Sequence, residues 1–321
     1  MVRVLALLLL LSLACTAPGE PTPLAPGCFA FGVFGDGPYR SWEVARFRRV
    51  LADVNRSDIA WLVHVGDIFS YPCSDRHYQE LRATMNAVQH PVVYTPGDNE
   101  WADCHGRLHG GYAPLERLAE LRRTFFAQPG TTLGALPMRV VAQAAEPGFS
   151  EFVENVRWTR GGFVFATVDM VGSDNATEPF RGRTAADDSA VVRRTAAAIA
   201  WMDEAFEVAA ADGASGVVLA MHGDPGFRTG RARPGFGGFV SRLRRHAADF
   251  DGPVLLVHGD SHIYRVDHPL RRFDREAPME SFTRLCTMGS PDIGWVRVVV
   301  DSVAGQVVSF EPRRVPWWRL W

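Results

Sequence analysis

Lysine is absent from the 321-residue chain, so all 34 basic side chains are arginine. These arginines are scattered along the sequence, and the formal net charge is only −2. Proteins that bind nucleic acid usually concentrate positive charge on one face. The composition therefore gives no reason to expect a nucleic-acid partner, and the arginines are interpreted as part of a solvated surface.

A long hydrophobic run is also missing, as is any internal repeat or coiled-coil pattern. The most apolar stretch, residues 4–14, has eleven residues behind a basic start at Arg3, whereas a membrane-spanning helix needs about 20. Residues 1–14 are therefore predicted to be a cleaved secretory signal peptide. Residues 15–27 carry four prolines and are predicted to form an extended tether.

The junction between the predicted signal peptide and the tether is compatible with two kinds of processing. Leu13-Ala14-Cys15 loosely resembles a bacterial lipoprotein signal, although Ser12 stands where leucine is usual. Lipidation of Cys15 and ordinary secretion are both compatible with the sequence. The protein is expected to be secreted, periplasmic or lipid-anchored at the cell envelope, with membrane contact only through such an anchor.

One pattern occurs three times in the first hundred residues. A β-branched or aromatic run ends at or near Gly-Asp in residues 29–36, 59–67 and 92–98, and the aspartates Asp36, Asp67 and Asp98 are 31 residues apart. That interval fits a strand, a crossover helix and the next parallel strand, which need about 30 residues. The three carboxylates then lie at strand carboxyl ends, where open parallel sheets bind ligands.

The remaining periodicity predicts further helices and strands around this core. Apolar residues at helical spacing predict helices over 42–54, 75–88 with Asp75 as its cap, 115–126, 188–211 and 239–246. Residues 128–147 show little pattern and are expected to run over the surface. A hairpin is predicted over 152–158 and 161–169, and strands over 217–221, 254–257, 282–287, 295–300 and 306–310. Together these elements indicate one mixed α/β domain with two sheets.

Four of the five cysteines remain once Cys15 is set aside, an even number suited to an oxidising compartment. Cys73 and Cys104 each follow a Gly-Asp turn by six residues. They should lie on the same sheet edge, and a disulfide between them is the favoured pairing. Cys28 and Cys286 lie in strand-like runs, where buried free thiols are at least as compatible with the sequence as a bond.

Five predicted strand ends carry carboxylates or imidazoles. A single Gly-Asp after a strand is often only a turn with a helix cap, but five such ends together are hard to explain in that way. Carboxylates and imidazoles are suitable ligands for Mg, Mn, Fe or Zn. The candidate metal ligands are Asp36, Asp67, Asp98, His222, Asp260 and His262.

In this order the motifs resemble those of the calcineurin-like metallophosphoesterases, the family that includes purple acid phosphatases. Its signature is Asp-x-His, Gly-Asp-x-x-Asp, Gly-Asn-His-Glu, a lone His after a strand, and Gly-His-x-His, and the resemblance covers about residues 28–310. It implies a four-layer α/β/β/α sandwich over residues 28–312, with two mixed sheets flanked by helices. It also implies two divalent or trivalent metal ions (Fe, Mn, Zn or Mg) and a small phosphorylated substrate.

The resemblance also assigns a role to each ligand. Asp36 and His262 would bind the first metal and Asp67 would bridge both. Asp98, His222 and Asp260 would bind the second, with Asp98 and Asp260 replacing the Asn and the first His of the family motifs.

Several positions depart from the family pattern. Pro38 replaces the first-motif histidine, so Tyr39 or solvent would fill its place. Ser70 stands at the last position of the second motif, with Tyr71 one residue beyond. Asn99 replaces the histidine that the family uses near the leaving group, and an amide can donate a hydrogen bond but cannot lend a proton.

These departures bear on the chemistry. Loss of a positioned acid typically costs roughly 10²- to 10⁴-fold in rate, so activity should survive best on substrates with good leaving groups, unless His64, His105 or His258 substitutes. Asn99 and His258 are the candidate catalytic residues. The resemblance implies a metal-dependent phosphoesterase, with a phosphodiesterase or nucleotidase, or a degenerate member that only binds a phosphorylated ligand, as alternatives.

Overall fold

A computed structural model describes residues 23–68, 72–227, 231–272 and 277–314. The predicted signal peptide, Cys15 and most of the predicted tether lie outside these residues, as do Ser70 and Tyr71. Among the helices in the described ranges, none has the length and apolarity needed to cross a membrane.

The first sheet has five strands in the order β12-β11-β1-β2-β3. Strands β1, β2 and β3 are parallel, as the threefold Gly-Asp pattern predicted, and β11 and β12 extend the sheet by antiparallel pairing. The strands are β1 Cys28–Phe34, β2 Leu62–His64, β3 Val92–Tyr94, β11 Gly294–Asp301 and β12 Gln306–Arg314.

The three parallel strands are aligned at intervals of 30 residues, since Phe34 pairs with His64 and His64 with Tyr94. The aspartates that follow them are spaced by 31 residues. Asp36, Asp67 and Asp98 therefore lie two, three and four residues beyond the aligned strand ends. Each aspartate is one residue further from its strand than the one before it.

The second sheet has seven strands in the order β4-β5-β6-β7-β8-β10-β9. Its centre, β6-β7-β8-β10, is parallel, and β5 and β6 form the predicted hairpin. The strands are β4 Val141–Ala142, β5 Val156–Arg160, β6 Phe163–Thr167, β7 Gly216–Ala220, β8 Val254–His258, β9 Arg265–Asp267 and β10 Phe282–Cys286.

Helices cover the outer face of each sheet. The helices α1 (Val44–Arg56), α2 (Asp75–Asn86) and α3 (Pro114–Phe125) share a core with the first sheet, and α5 (Ala185–Ala211) and α6 (Gly237–Asp249) share one with the second. A third core fills the space between the sheets. The predicted fold class, two mixed sheets flanked by helices in four layers, is confirmed.

Shorter helical segments connect these elements. They include the single turn α4 (Gly172–Ala176) and 3-10 turns at Ser41–Glu43, Ala102–His105, Arg107–His109, Gln143–Ala145 and Pro234–Phe236.

The first strand shows why the sequence specifies two buried faces. Ala30 and Phe34 belong to the core under the helices, whereas Phe29, Phe31 and Val33 belong to the core between the sheets. Because side chains alternate across a strand, a strand buried on both faces reads as a continuous apolar run.

Some sequence-based boundaries were wrong. The cap of α2 is Ser74, whose side chain accepts a hydrogen bond from the His77 N–H, and Asp75 is the first helical residue. Residues 128–147 are not merely a surface segment, because Leu133 is buried and exchanges backbone hydrogen bonds with Val92. The short strands β4 and β9 were not predicted, since two or three residues give no readable alternation.

The predicted disulfide is present. Cys73 and Cys104 are bonded, with their Cα atoms 5.8 Å apart, and the bond joins the loops that follow β2 and β3. Among the described cysteines, Cys28 and Cys286 are free thiols, the first half-buried and the second buried.

Candidate metal centre

The ends of five strands bring their polar side chains into one buried cluster. Asp36, Asp67 and Asp98 follow the three parallel strands of the first sheet, and His222 and Asp260 follow β7 and β8 of the second. Two sets of three residues have ligand atoms within 4.8 Å of one another: Asp36, Asp67 and His222, and Asp98, His222 and Asp260. The resemblance assigned the shared position to Asp67, whereas His222 is the member common to both sets.

The sixth predicted ligand lies beside this cluster. The Nε2 atom of His262 is 3.7 Å from Asp36 Oδ1. The structure therefore brings all six predicted ligand residues to one edge, with His262 nearest to Asp36.

Both histidines are held in the orientation that a metal ligand requires. The Nδ1–H of His222 donates to the Val65 carbonyl at 2.7 Å, and that of His262 donates to the Ser290 carbonyl at 2.8 Å. A carbonyl can only accept, so Nδ1 carries a proton and each ring turns Nε2 towards the carboxylates. Such a carbonyl partner behind the ring is typical of metal-binding histidines.

Full ionisation of these carboxylates would place more negative charge in the site than burial tolerates. Burial raises the pKa of Asp36 to about 6 and that of Asp67 well above its ordinary value. Burial alone would lower the pKa of His222, but the charges of Asp67, Asp98 and Asp36 raise it well above 6.5. The charge of His222 and its hydrogen bond in turn outweigh burial at Asp98 and lower the pKa of that carboxyl. A bound cation would relieve this excess of buried negative charge.

Backbone strain is concentrated at the same residues. Asp36, Asp67, Asp260 and His262 have φ values of 58°, 56°, 68° and 59°, in the left-handed region. This region costs non-glycine residues roughly 1–2 kcal/mol each. Gly259 packs so closely on the Asp36 carboxylate that a Cβ there would be 2.5 Å from its Oδ2. Strain of this kind is characteristic of functional sites.

Glu100 ties the loops of the site together. Its carboxylate accepts hydrogen bonds from the backbone N–H groups of Asp67, Ile68 and Gly97 at 3.1, 2.5 and 2.8 Å. Burial raises its pKa to about 7. The sequence identified Glu100 only as the flank of the third motif, and its contacts with the loop after β2 were not foreseen.

Tyr39 lies within the cluster. Its hydroxyl donates to Asp67 Oδ2 at 2.5 Å and is 3.3 Å from His262 Nε2. Burial, assisted by the charges of Asp67 and Asp36, raises the pKa of Tyr39 well above its ordinary value. Tyr39 or solvent was expected in the place of the histidine that Pro38 replaces, and Tyr39 contacts the predicted ligand Asp67 directly.

The predicted catalytic residues have different settings. The backbone N–H of Asn99 donates to Asp67 Oδ1 at 3.1 Å, and this half-buried residue therefore lies next to the cluster. His258 is fully buried, its Nδ1–H donates to the Gly259 carbonyl at 2.9 Å, and burial lowers its pKa to about 4. This setting suits a structural residue that orients the turn, and its catalytic role stays a prediction.

The other two candidate acids also have local structural contacts. His64 is fully buried and its Nδ1 accepts the Gly66 N–H at 3.0 Å. His105 stacks on Phe180 with ring centroids 4.4 Å apart.

Two contacts around Asp98 were not foreseen from the sequence. The Ser173 hydroxyl is 2.8 Å from Asp98 Oδ2 and 2.9 Å from Asp103 Oδ1. Ser173 belongs to α4, in which residues 173–175 have φ of 50–60° and ψ of 39–50°, so this turn is wound left-handed. Gly172 lies against the Asp98 carboxylate, leaving no room for a Cβ. No periodic or motif signal could have placed this turn at the site.

Comparisons with known proteins add little at the level of sequence. No protein-family description and no curated protein matches the chain. Among solved structures, it is similar to a 5'-nucleotidase from Candida albicans at 12% identity and a TM-score of 0.44, over 84% of this chain and 46% of that one. It is also similar to a phosphatase from Mycoplasma pneumoniae at 9% identity and a TM-score of 0.44, over 90% and 93%.

The chain thus spans less than half the length of the nucleotidase. At these identities and TM-scores the functional argument depends on the site itself.

Proposed function

We propose that this protein is a metal-dependent hydrolase of phosphate esters. The observation that carries the proposal is the pair of overlapping ligand sets that meet at His222, built from strand ends that are far apart in the sequence. Buried charges in proteins are paired or bind metals. Four carboxylates and two histidines at one edge of the sandwich supply the hard and borderline donors that Mg, Mn, Fe or Zn prefers.

We assign two ions to the cluster. Asp36, Asp67 and His262 would hold the first, and Asp98, His222 and Asp260 the second, with the Asp67 carboxylate shared between them. When bound, such ions acidify water to give a nucleophile at neutral pH and neutralise the charge that develops on the phosphoryl oxygens.

The chain's own residues would position the ester and hold protons around the ions. Tyr39, whose single O–H donates to Asp67 Oδ2, would orient that carboxylate, and Asn99 can donate a hydrogen bond to a phosphoryl oxygen through its amide. Neither residue is a proton donor suited to a poor leaving group near neutral pH. The preferred substrates are therefore esters whose leaving group departs without protonation.

The proposal is tested by metal content and turnover together. The mature protein, purified from its natural compartment, should contain up to two transition metals per chain and hydrolyse 4-nitrophenyl phosphate. Asp67→Ala should lose both properties, while Asp212→Asn, at an exposed carboxylate after α5, should lose neither. Undiminished turnover in Asp67→Ala would refute the assignment.

A panel of phosphate monoesters, diesters and nucleotides would separate the phosphatase from the phosphodiesterase or nucleotidase alternative. The loss of the family histidines at Pro38 and Asn99 also supports a second candidate, a protein that binds a phosphorylated ligand without turnover. Tight phosphate binding with no hydrolysis of any ester under several added metals would favour this candidate.

A further inference from the structure

A cavity of about 260 Å³ lies next to the candidate metal centre. It is a partly open cleft lined by the turn Ala102–His105, α3, α4 and the first part of α5, and its lining includes Trp101, Ser173 and Arg194. Ser173 also contacts the Asp98 carboxylate at 2.8 Å. One serine side chain therefore separates the cavity from a predicted metal ligand.

The size and lining of the cavity suit a flat ring. Leu115, Leu118 and Val191 supply apolar walls, and the stacked pair of His105 and Phe180 supplies an aromatic one. Charged side chains complete the lining, among them Asp103, Arg183 and Asp187. An engineered apolar cavity of about 150 Å³ in another protein binds benzene. The present cavity is larger and can accept a ring that carries substituents.

Two hydrogen-bond donors in this lining have no partner. Trp101 and Arg194 are only 3% and 2% exposed, and within the described chain neither Trp101 Nε1 nor Arg194 Nε makes a hydrogen bond. Other N–H groups of Arg194 donate to the Asp169 and Asn175 carbonyls, so this side chain is fixed in place. A buried N–H without an acceptor is costly. Both atoms are covered by their neighbours, so a ligand acceptor would reach them, and remove this cost, through a small shift of the lining side chains.

We propose that this cavity binds the leaving group of the phosphate ester, and that this group is an aromatic ring carrying hydrogen-bond acceptors. The proposal rests on the proposed phosphoesterase function for the position of the phosphoryl group at Asp98. The ring would lie between the apolar walls and the stacked pair, and its acceptors would face Trp101 and Arg194. Such a ring also departs readily as a phenolate-type anion, which suits a site without a positioned acid.

Binding of the ring can be measured without turnover. The probe is 4-nitrophenol, a ring with acceptor oxygens, added to the ¹⁵N-labelled mature protein. The indole N–H signal of Trp101 is identified as the one lost in Trp101→Phe. We expect 4-nitrophenol to shift this signal in a saturable way, while inorganic phosphate alone leaves it in place. No shift of the Trp101 signal at saturating 4-nitrophenol would overturn the proposal.

A pair of variants on α5 tests the same point by kinetics. Ala190 lines the cavity, whereas Val192 lies two residues further on and is 69% exposed. Ala190→Phe should fill the cavity and raise KM for 4-nitrophenyl phosphate roughly tenfold or more, the scale of losing one buried ring. Inhibition by inorganic phosphate should change less than about twofold, and Val192→Phe should behave as the unaltered protein.

The outcomes separate the two proposals. A saturable Trp101 shift with no hydrolysis of any ester would leave the ring site standing and remove the phosphoesterase. Turnover with equal KM values for Ala190→Phe and Val192→Phe would retain the phosphoesterase and remove the ring site.

Discussion

At the scale of single residues, the strongest feature is the way in which each ligand is held. His222 and His262 are each fixed by a carbonyl behind the ring, and four of the six predicted ligands have left-handed backbone. The sequence could identify these residues because each follows an apolar run. It could not predict their φ values or ring orientations, which are set by contacts with distant segments such as Val65 and Ser290.

We predict that His64 makes the protein less stable in acid. Burial lowers its pKa from 6.5 to about 3, so between these values the unfolded chain binds a proton that the folded chain does not. Stability is therefore lost as the pH falls below 6.5, by up to about 1.4 kcal/mol per pH unit. Urea unfolding at pH 7 and pH 5 should show about 2 kcal/mol from this residue.

The variant His64→Gln should flatten this pH dependence, although its stability at pH 7 will be lower because the ring packs against Phe34. His90→Gln, at a partly exposed histidine, is the matched control. An equally steep pH dependence in His64→Gln and in the unaltered protein would contradict the prediction.

A second residue-scale prediction concerns Asn99. Asn99→His places a group that can carry a proton next to Asp67, and a well-placed acid contributes about 10²- to 10⁴-fold. We expect kcat/KM for phenyl phosphate to rise at least about tenfold, with a smaller change for 4-nitrophenyl phosphate, whose leaving group needs less help. Asn99→Gln cannot carry a proton and serves as the control. Equal effects of both variants on phenyl phosphate would show that no acid had been restored.

At the scale of elements, the sequence predicted the strands and helices that carry a periodic pattern and missed a short turn that carries none. The three parallel strands with their crossover helices were predicted because strand, helix and turn each leave a periodic signal over about 30 residues. The disulfide followed from equal spacing after two of these turns. The left-handed turn α4 left no such signal, since its conformation is imposed by packing against Asp98 and the loop at Gly235 rather than by local preference.

We predict a large stability cost on removing the disulfide. Cys73 and Cys104 are separated by 31 residues, and closing a loop of this length is worth about 4 kcal/mol in the chain-entropy account. The double variant Cys73→Ala, Cys104→Ala should unfold in urea with a free energy lower by about this amount. A reductant should weaken the unaltered protein similarly and leave the double variant unchanged. If the reductant weakens both proteins equally, the loss comes from elsewhere.

At the scale of the whole molecule, the candidate site joins two sheets that otherwise have separate outer cores. Asp36, Asp67 and Asp98 belong to the first sheet, and His222 and Asp260 to the second. An ion held by both would therefore connect the two halves of the sandwich directly. The order of the motifs in the sequence predicted that these residues come together. The distances between their ligand atoms are set by the packing of one sheet on the other.

Metal binding should accordingly raise global stability. An ion at about 100 times its dissociation constant stabilises the folded state by roughly 2.7 kcal/mol, which corresponds to roughly 5 °C in Tm for a protein of this size. The metal-stripped protein should gain this increment when Mn²⁺ or Zn²⁺ is added, and Asp67→Ala should not. Calorimetry with Asp212→Asn as control provides the measurement. An equal rise in Asp67→Ala would mean that the ion binds elsewhere.

The one-residue difference between the strand alignment and the spacing of the aspartates has a consequence for how the centre tolerates change. Asp36, Asp67 and Asp98 follow the aligned ends of β1, β2 and β3 after two, three and four residues, so the length of each connecting turn sets the position of its carboxylate. Extra residues in a crossover helix do not change the number of residues between a strand end and its aspartate. A single insertion between Tyr94 and Asp98 would displace Asp98 and leave Asp36 and Asp67 in place. Length variation among natural or engineered relatives should thus be permissive in the crossovers and nearly forbidden in the few residues between each strand and its carboxylate.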